Sequence, residues 1–352
     1  MEVLEIKREV ETLSQRLAMV QEYLSVSALT AKIHELEQII NGRAFWQNPI
    51  SAYQTVEEIT DLLLHTVKQY QQWHSTLRDA KAALELLEIQ ADPQLLQEAK
   101  TSLSLLSIEL DRLEIEHLLS GKYDRNGAYL TITAESSVDM LLGMYASWAK
   151  SHGYKLSWVA ESLACSGVIN YAIVEIHAIY PYGYLKSETG IHKLDRILPE
   201  NANSIQTSLI RVEVTPICNE SEFEIPQQDL EIILPSILGN TNKLEVWVRV
   251  VHIPTGIAVY CDCERNQHQN KEKALSIVKS KLWALANSQG VKQIADIQPH
   301  SSQNLPSQEI RRYIFDSKMV LDIRTGLKTT SLTEVMNGKI DPFIRAYLQQ
   351  EC

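Results

Sequence analysis

Apolar residues recur at alternating three- and four-residue spacings from the start of the chain: Val3, Ile6, Val10, Leu13, Leu17, Val20 and Leu24, with Glu, Lys and Arg on the faces between. That spacing predicts a helix carrying one apolar stripe, a coiled-coil-like seam. The stripe must close against something apolar, either another segment of the chain or a second copy, so the oligomeric state stays open. Phe45-Trp46-Gln47-Asn48-Pro49 interrupts the period, and Pro49, with no amide hydrogen, marks a turn. A second helical run passes through Ile59, Leu62, Leu63, Val67, Tyr70, Trp73, Leu77, Ala80, Leu84 and Leu87, and Ala91-Asp92-Pro93 turns it into a third that ends near Leu119. Such helices pack on one another. Residues 1–119 therefore read as a helical N-terminal domain, a spacer or a partner-docking arm.

After Tyr123-Asp124-Arg125-Asn126-Gly127 the period shortens to two. Alternation predicts strands over 128–133, 155–159, 171–177 and 182–188, and a helix over 136–151 with Ser136 and Asp139 in capping-box positions, before 212–215 leads out of the region. On the strand reading Tyr180, Tyr182 and Tyr184 share one face, with Trp158 and Trp247 in neighbouring strands; such aromatics either pack a core or stack on unpaired bases. Residues 120–218 thus form an α+β domain. An acidic connector over 219–228 opens a second one, 219–290, with a β-hairpin around Pro254-Thr255-Gly256 and a closing helix over 269–287. The polar stretch 288–307, with Gly290, Pro299 and Pro306, reads as a linker. The remainder of 291–352 holds a strand, a loop and a short helix near 342–349. The fold class is α+β multidomain, with the helical domain first.

A hydrophobic content of 45% and a charged content of 22% describe a globular chain, and no apolar run approaches the ~18 residues a membrane span needs. The net charge of -11 is unevenly spread. Residues 1–117 hold 10 Lys+Arg against 19 Asp+Glu, a balance of -9, whereas 242–352 hold 15 against 11, a balance of +4. The C-terminal part is therefore compatible with local RNA contact. Cys165, Cys218, Cys261, Cys263 and Cys352 lack metal-ligand spacing. Cys261 and Cys263 point to one face of a predicted strand and would hold a metal only with His252 or His268 alongside; reduced thiols, with no metal and no cofactor, are the expectation. The ten histidines form no HxxxH pair, so neither a metal site nor a His-centred nucleophile is indicated. Met1-Glu2-Val3-Leu4-Glu5 is acidic and already helical in pattern, unlike a signal or transit peptide.

Several separated motifs share one resemblance. They are Phe45-Trp46 with Asn48-Pro49; Gly183-Tyr184-Leu185-Lys186-Ser187-Glu188-Thr189-Gly190-Ile191-His192-Lys193-Leu194; the hairpin Val246 to Val259 with Glu264 to Ala274; and Ile310-Arg311-Arg312-Tyr313, Asp322-Ile323-Arg324-Thr325-Gly326 and Asp341-Pro342-Phe343-Ile344. Together they resemble bacterial and organellar class I peptide chain release factors of the second, UGA-reading type. The resemblance implies that the tail after 291 returns to the second domain. In that family Gly-Gly-Gln promotes peptidyl-tRNA hydrolysis and Ser-Pro-Phe reads the stop codon.

This chain departs from both tripeptides. The corresponding stretches read Leu234-Pro235-Ser236-Ile237-Leu238-Gly239-Asn240-Thr241-Asn242-Lys243 and Leu198-Pro199-Glu200. Basic residues before the family's Thr-Ser shrink to Ile205-Gln206 ahead of Thr207-Ser208, and Thr133 to Val138 replaces a glycine-rich loop. The two glycines give a backbone freedom that other residues lack, and the Gln amide stabilises developing charge. The resemblance therefore implies a chain that is not an enzyme, nearest to a plant plastid branch lacking both tripeptides. It implies a role in the chloroplast stroma, binding and stabilising messenger RNA through its 3′ untranslated region. The alternative is a ribosome-associated factor that retains or modulates termination.

Candidate RNA contacts are Lys243, Arg249, Arg265, Gln267, His268, Asn270, Lys271 and Lys273 around the hairpin and its helix, and Arg311, Arg312, Lys318, Arg324 and Lys328 in the tail. Lys and Arg neutralise phosphates and release counterions without reading sequence. The expected partners are messenger RNA, ribosomal RNA or the ribosome itself, and no membrane.

Overall fold

The structure, a computed structural model, describes residues 2–24, 26–40, 67–163, 169–198, 201–218, 225–235, 246–291, 296–297 and 308–351. The chain divides into two compact units, Met1–His117 and Leu118–Cys352.

The first unit is helical: α1 (Glu2–Leu24), α2 (Val26–Ile40), α3 (Lys68–Ile89) and α4 (Pro93–Leu118). The α1 stripe is buried as its spacing demands, with Ile6, Val10, Leu13, Leu17 and Val20 at 5% exposure or less. It closes against Trp73, Leu77, Ala80 and Leu84 of α3 and Leu103, Leu106 and Leu110 of α4. The seam is thus satisfied within the chain. Asp92 starts α4: its carboxylate accepts from the amides of Gln94 (2.8 Å) and Leu95 (3.3 Å), with Pro93 at the first helical position where no amide hydrogen is needed. Arg16 reaches from α1 to Asp111 (2.6 Å) and Glu114 (2.8 Å) on α4. The Phe45-Trp46 and Asn48-Pro49 signature lies outside the described residues.

The second unit is built on an eight-stranded sheet. Its strands are β1 (Ala128–Ala134), β2 (Lys155–Leu163), β3 (Ile169–His177), β4 (Gly190–Leu198), β5 (Asn201–Pro216), β9 (Glu309–Ile314), β10 (Met319–Asp322) and β11 (Lys328–Thr329), in the order β11-β10-β9-β4-β5-β1-β3-β2. All neighbours are antiparallel except β4 and β9, which pair in parallel, so the tail rejoins the sheet at its middle. A smaller sheet holds β6 (Leu230–Ile233), β7 (Val248–His252) and β8 (Ile257–Cys261). The helices are α5 (Val138–Ser151), α6 (Pro181–Leu185), α7 (Gln267–Gln289), α8 (Leu332–Met336) and α9 (Asp341–Glu351).

Central β1 is buried at every residue from Ala128 to Ile132, as a strand covered on both faces must be. Tyr129 and Ile173 of the large sheet share one core with Val248, Val250 and Val259 of the small sheet and Ala274, Ile277, Val278 and Leu282 of α7. The two α+β regions read separately in the sequence therefore pack together here.

Two local expectations are corrected. Residues 182–188 form no strand but α6 followed by a 3₁₀ turn over Lys186–Glu188. Pro181 sits at the helix start, and the amides of Tyr182 and Gly183 donate to the carbonyls of Asn126 and Asp124, each at 3.1 Å. A Cβ on Gly183 would lie 2.6 Å from the Asp124 carbonyl oxygen, so only glycine permits that approach. The tyrosine alternation was fortuitous. The capping box at α5 also does not form: its N-cap is Ser137, in the left-handed region with no side-chain cap bond, while the Ser136 hydroxyl bonds that of Ser208 (3.3 Å).

Candidate nucleic-acid interface

The hairpin β7–β8 alternates as the sequence predicts: Val248, Val250 and His252 face the core and Arg249 faces solvent. Its turn is tied by the Gly256 amide donating to the His252 carbonyl (2.8 Å) and by a 2.8 Å contact between His252 Nδ1 and Thr255 Oγ1, with Gly256 at φ +71°. Burial lowers the His252 pKa, against an opposing pull from Asp229. Arg249 pairs in register with Tyr260, and Trp247, two residues earlier on the same face, stacks on Tyr260 with ring centres 5.7 Å apart. Arg249, an exposed residue, thus shares a register position with one member of a half-buried aromatic pair.

At the start of α7 the Asn266 side chain caps the helix by accepting from the His268 amide (2.9 Å). Arg265 and His268 are exposed, and Gln267 and Lys271 are half-buried. Asn270 is different. It is fully buried, donates to the carbonyls of Val246 (2.8 Å) and Glu264 (3.0 Å), and accepts from the Glu264 amide (2.8 Å). Lys273 pairs with Glu175 of β3, which is 3% exposed, and Lys281 pairs with Glu213 of β5. These ion pairs, with a 3.1 Å bond between Tyr129 Oη and Ser276 Oγ, seat α7 on the large sheet. Asn270 and Lys273, expected at the RNA surface, are instead committed to the fold; Lys243 lies outside the described residues.

The tail group divides in the same way. Arg311 is fully buried: it forms two bonds to Glu188 (2.7 and 2.8 Å) and one to Asp322 (3.2 Å), and its guanidinium lies 4.4 Å from the Phe343 ring centre. A side chain without solvent exposure cannot reach a phosphate, so the expected RNA contact is corrected. Arg324 bonds Asp322 (2.9 Å) and the Ser187 carbonyl (2.6 Å) and lies over Tyr347, which commits it similarly. Arg312 is half-buried beside Glu309 (2.8 Å), and Lys318 and Lys328 are exposed. Leu198 ends β4 opposite Asn201 at a register irregularity; Pro199 and Glu200 lie outside the described residues.

Sequence reading missed the interior network around Arg311. His192 sits there, its ring nitrogens 3.1 Å from Tyr313 Oη and 3.0 Å from the Glu188 carbonyl, and desolvation lowers its pKa to about 4. Its only signal was Glu188 and His192 standing on either side of Gly190, four residues apart. Among the described residues no group of three or more His, Cys, Asp or Glu could hold a metal ion, and no helix is long and apolar enough to cross a membrane.

The chain combines a helical unit with a sheet unit that the tail re-enters and that carries a hairpin–helix module. The PCRF domain matches residues 29–212 and the RF-1 domain residues 219–324, and the chain belongs to the class I peptide chain release factor family. It is 36% identical to Peptide chain release factor PrfB1, chloroplastic, of Arabidopsis thaliana, over 98% of this chain and 79% of that one. It is 34% identical to Peptide chain release factor 2 of Clostridium perfringens, over 92% of this chain and 93% of the relative. RF2 of Thermus thermophilus superposes with a TM-score of 0.60 at 26% identity, covering 92% of this chain and 95% of that one. These relatives overturn the expectation that the chain is not an enzyme: proteins matched over nearly its whole length carry the name of release factors. The segment on which that expectation rested, 236–245, lies outside the described residues.

Proposed function

We propose that the chain is a ribosome-associated translation factor, of the second release-factor type, that retains or modulates peptide chain termination. The observation that carries this reading is likeness to named release factors across 92–98% of the chain, rather than across one module. The surface cations Arg249, Arg265, Lys271, Lys318 and Lys328 supply the phosphate contacts such a role needs. A plastid location is supported by the chloroplastic relative. The test uses ribosomes holding peptidyl-tRNA at a stop codon. The chain is expected to cosediment with them and to change the rate of peptide release, alone or alongside a second release factor. Absence of both ribosome binding and any change in release rate would overturn the reading.

A second reading, binding and stabilisation of chloroplast messenger RNA, is favoured by one feature: Arg249 beside the stacked Trp247–Tyr260 pair. Cation plus aromatic face is the combination that holds unpaired bases without strict sequence choice. Recovery of messenger 3′ fragments crosslinked to the chain in plastid extract supports this reading; recovery of ribosomal RNA alone removes it.

A further inference from the structure

We propose that Cys261 and Cys263 form an oxidisable dithiol, a modification site that closes as an intramolecular disulfide between the hairpin and α7. Their Sγ atoms are 3.5 Å apart, and both face Asn270 Oδ1, at 3.5 and 4.0 Å. Cys261 closes β8 and is buried; Cys263 is exposed. One thiol therefore meets solvent and the other stands directly behind it. A disulfide needs Cα atoms within roughly 7 Å, and two residues of fully extended chain span at most about 7 Å. Asp262 and Cys263 lie beyond the end of β8, outside the ladder that pairs Cys261 with Val248. Among the described residues no third His, Cys, Asp or Glu joins the pair in a group that could hold a metal ion.

The chemistry balances with a small-molecule disulfide such as oxidised glutathione. The Cys263 thiolate attacks one of its sulfurs and expels a thiolate, leaving a mixed disulfide. Cys261 then loses its proton to solvent, attacks Cys263 Sγ and expels the second thiolate. One external disulfide is reduced to two thiols as the protein dithiol is oxidised. Burial pushes Cys261 up to about 12 and raises Cys263 as well, so thiolate is scarce at neutral pH and exchange is slow, accelerating as pH rises. A ring closed over a single intervening residue is strained, which makes the bond readily reducible.

Closure removes two S–H donors from Asn270, the side chain that ties Val246 to Glu264. Drawing Cys263 inward also pulls on Glu264, whose amide donates to the same oxygen. Oxidation thus acts on the turn that positions α7 under the hairpin.

To test this, the reduced full chain is equilibrated in graded mixtures of reduced and oxidised glutathione at mildly alkaline pH. Remaining thiols are alkylated and the digest is read by mass spectrometry. The expected result is one peptide that loses two hydrogens and both alkylation sites, restored by dithiothreitol, together with faster amide exchange at Glu264. Cys261→Ser is expected to stop at a glutathione adduct on Cys263. Full alkylation of both thiols at the most oxidising ratio overturns the proposal. So does a persistent adduct in the wild type, or a disulfide to Cys218 or to a second copy. Unchanged exchange at Glu264 overturns the coupling to Asn270. None of these readouts depends on ribosome or RNA binding, so their failure is separable from failure of the proposed function.

Discussion

At the scale of single residues, the interior of the large sheet is held by charges that cannot leave it. Arg311, Glu188 and Asp322 have no exposure, and a buried charge stripped of its partner costs far more than the intact pair contributes. Arg311→Met is expected to lower stability by about 3–5 kcal/mol in urea unfolding, with Glu188 left as the unpaired charge. His192 gives the same region an acid limit. Its folded pKa of about 4 lies below the ordinary 6.5, because burial disfavours the imidazolium. The unfolded chain therefore binds the extra proton between those values, and the stability present above about pH 6.5 is lost as pH falls toward 4. Asp322, whose burial is outweighed by Arg324 and Arg311, is also held below its ordinary 3.8 and adds a further loss at lower pH. Unfolding midpoints at pH 7.5 and 4.5 check this: the wild type is expected to lose about 2–3 kcal/mol from His192, and His192→Gln is expected to flatten that part of the slope.

At the scale of elements, periodicity was legible where one face alone is buried and illegible where backbone contacts decide. The α1 stripe and the β7–β8 alternation follow from their spacing. Leu13→Ala, at a site 2% exposed, is expected to destabilise the helical unit by about 2–5 kcal/mol, measured by thermal unfolding. The segment 182–188 has the alternation of a strand, yet Pro181, the Asp124 carbonyl and the tight approach at Gly183 turn it into α6. Along α7, residues two apart have opposite fates. Lys271→Gln is expected to weaken binding of a single-stranded RNA and to reduce the slope of log affinity on log salt by about 1. Lys273→Gln is expected to act instead on stability, because it leaves Glu175 buried without its ammonium partner. Equal effects of both on the salt slope would contradict the assignment.

At the scale of the whole molecule, both release-factor domains run in order along the chain, and the release assay on programmed ribosomes is the measurement that bears on the proposed function. By itself the sequence determined the helical first unit, the mixed helix-and-sheet class, the hairpin and the family, because each is written in local spacing or in motifs that stay contiguous along the chain. It also named thirteen candidate RNA-contacting residues, but charge in a sequence carries no direction. Only the tertiary structure separated the exposed Arg249 and Arg265 from the buried Arg311 and Asn270 and from Lys273, held in an ion pair, since these roles are set by partners far away in the chain: Glu188 for Arg311, Glu175 for Lys273, Val246 for Asn270. It likewise closed the α1 seam within the chain and set the thiols of Cys261 and Cys263, already neighbours in the sequence, over the buried Asn270 amide, placements that depend on packing rather than on period.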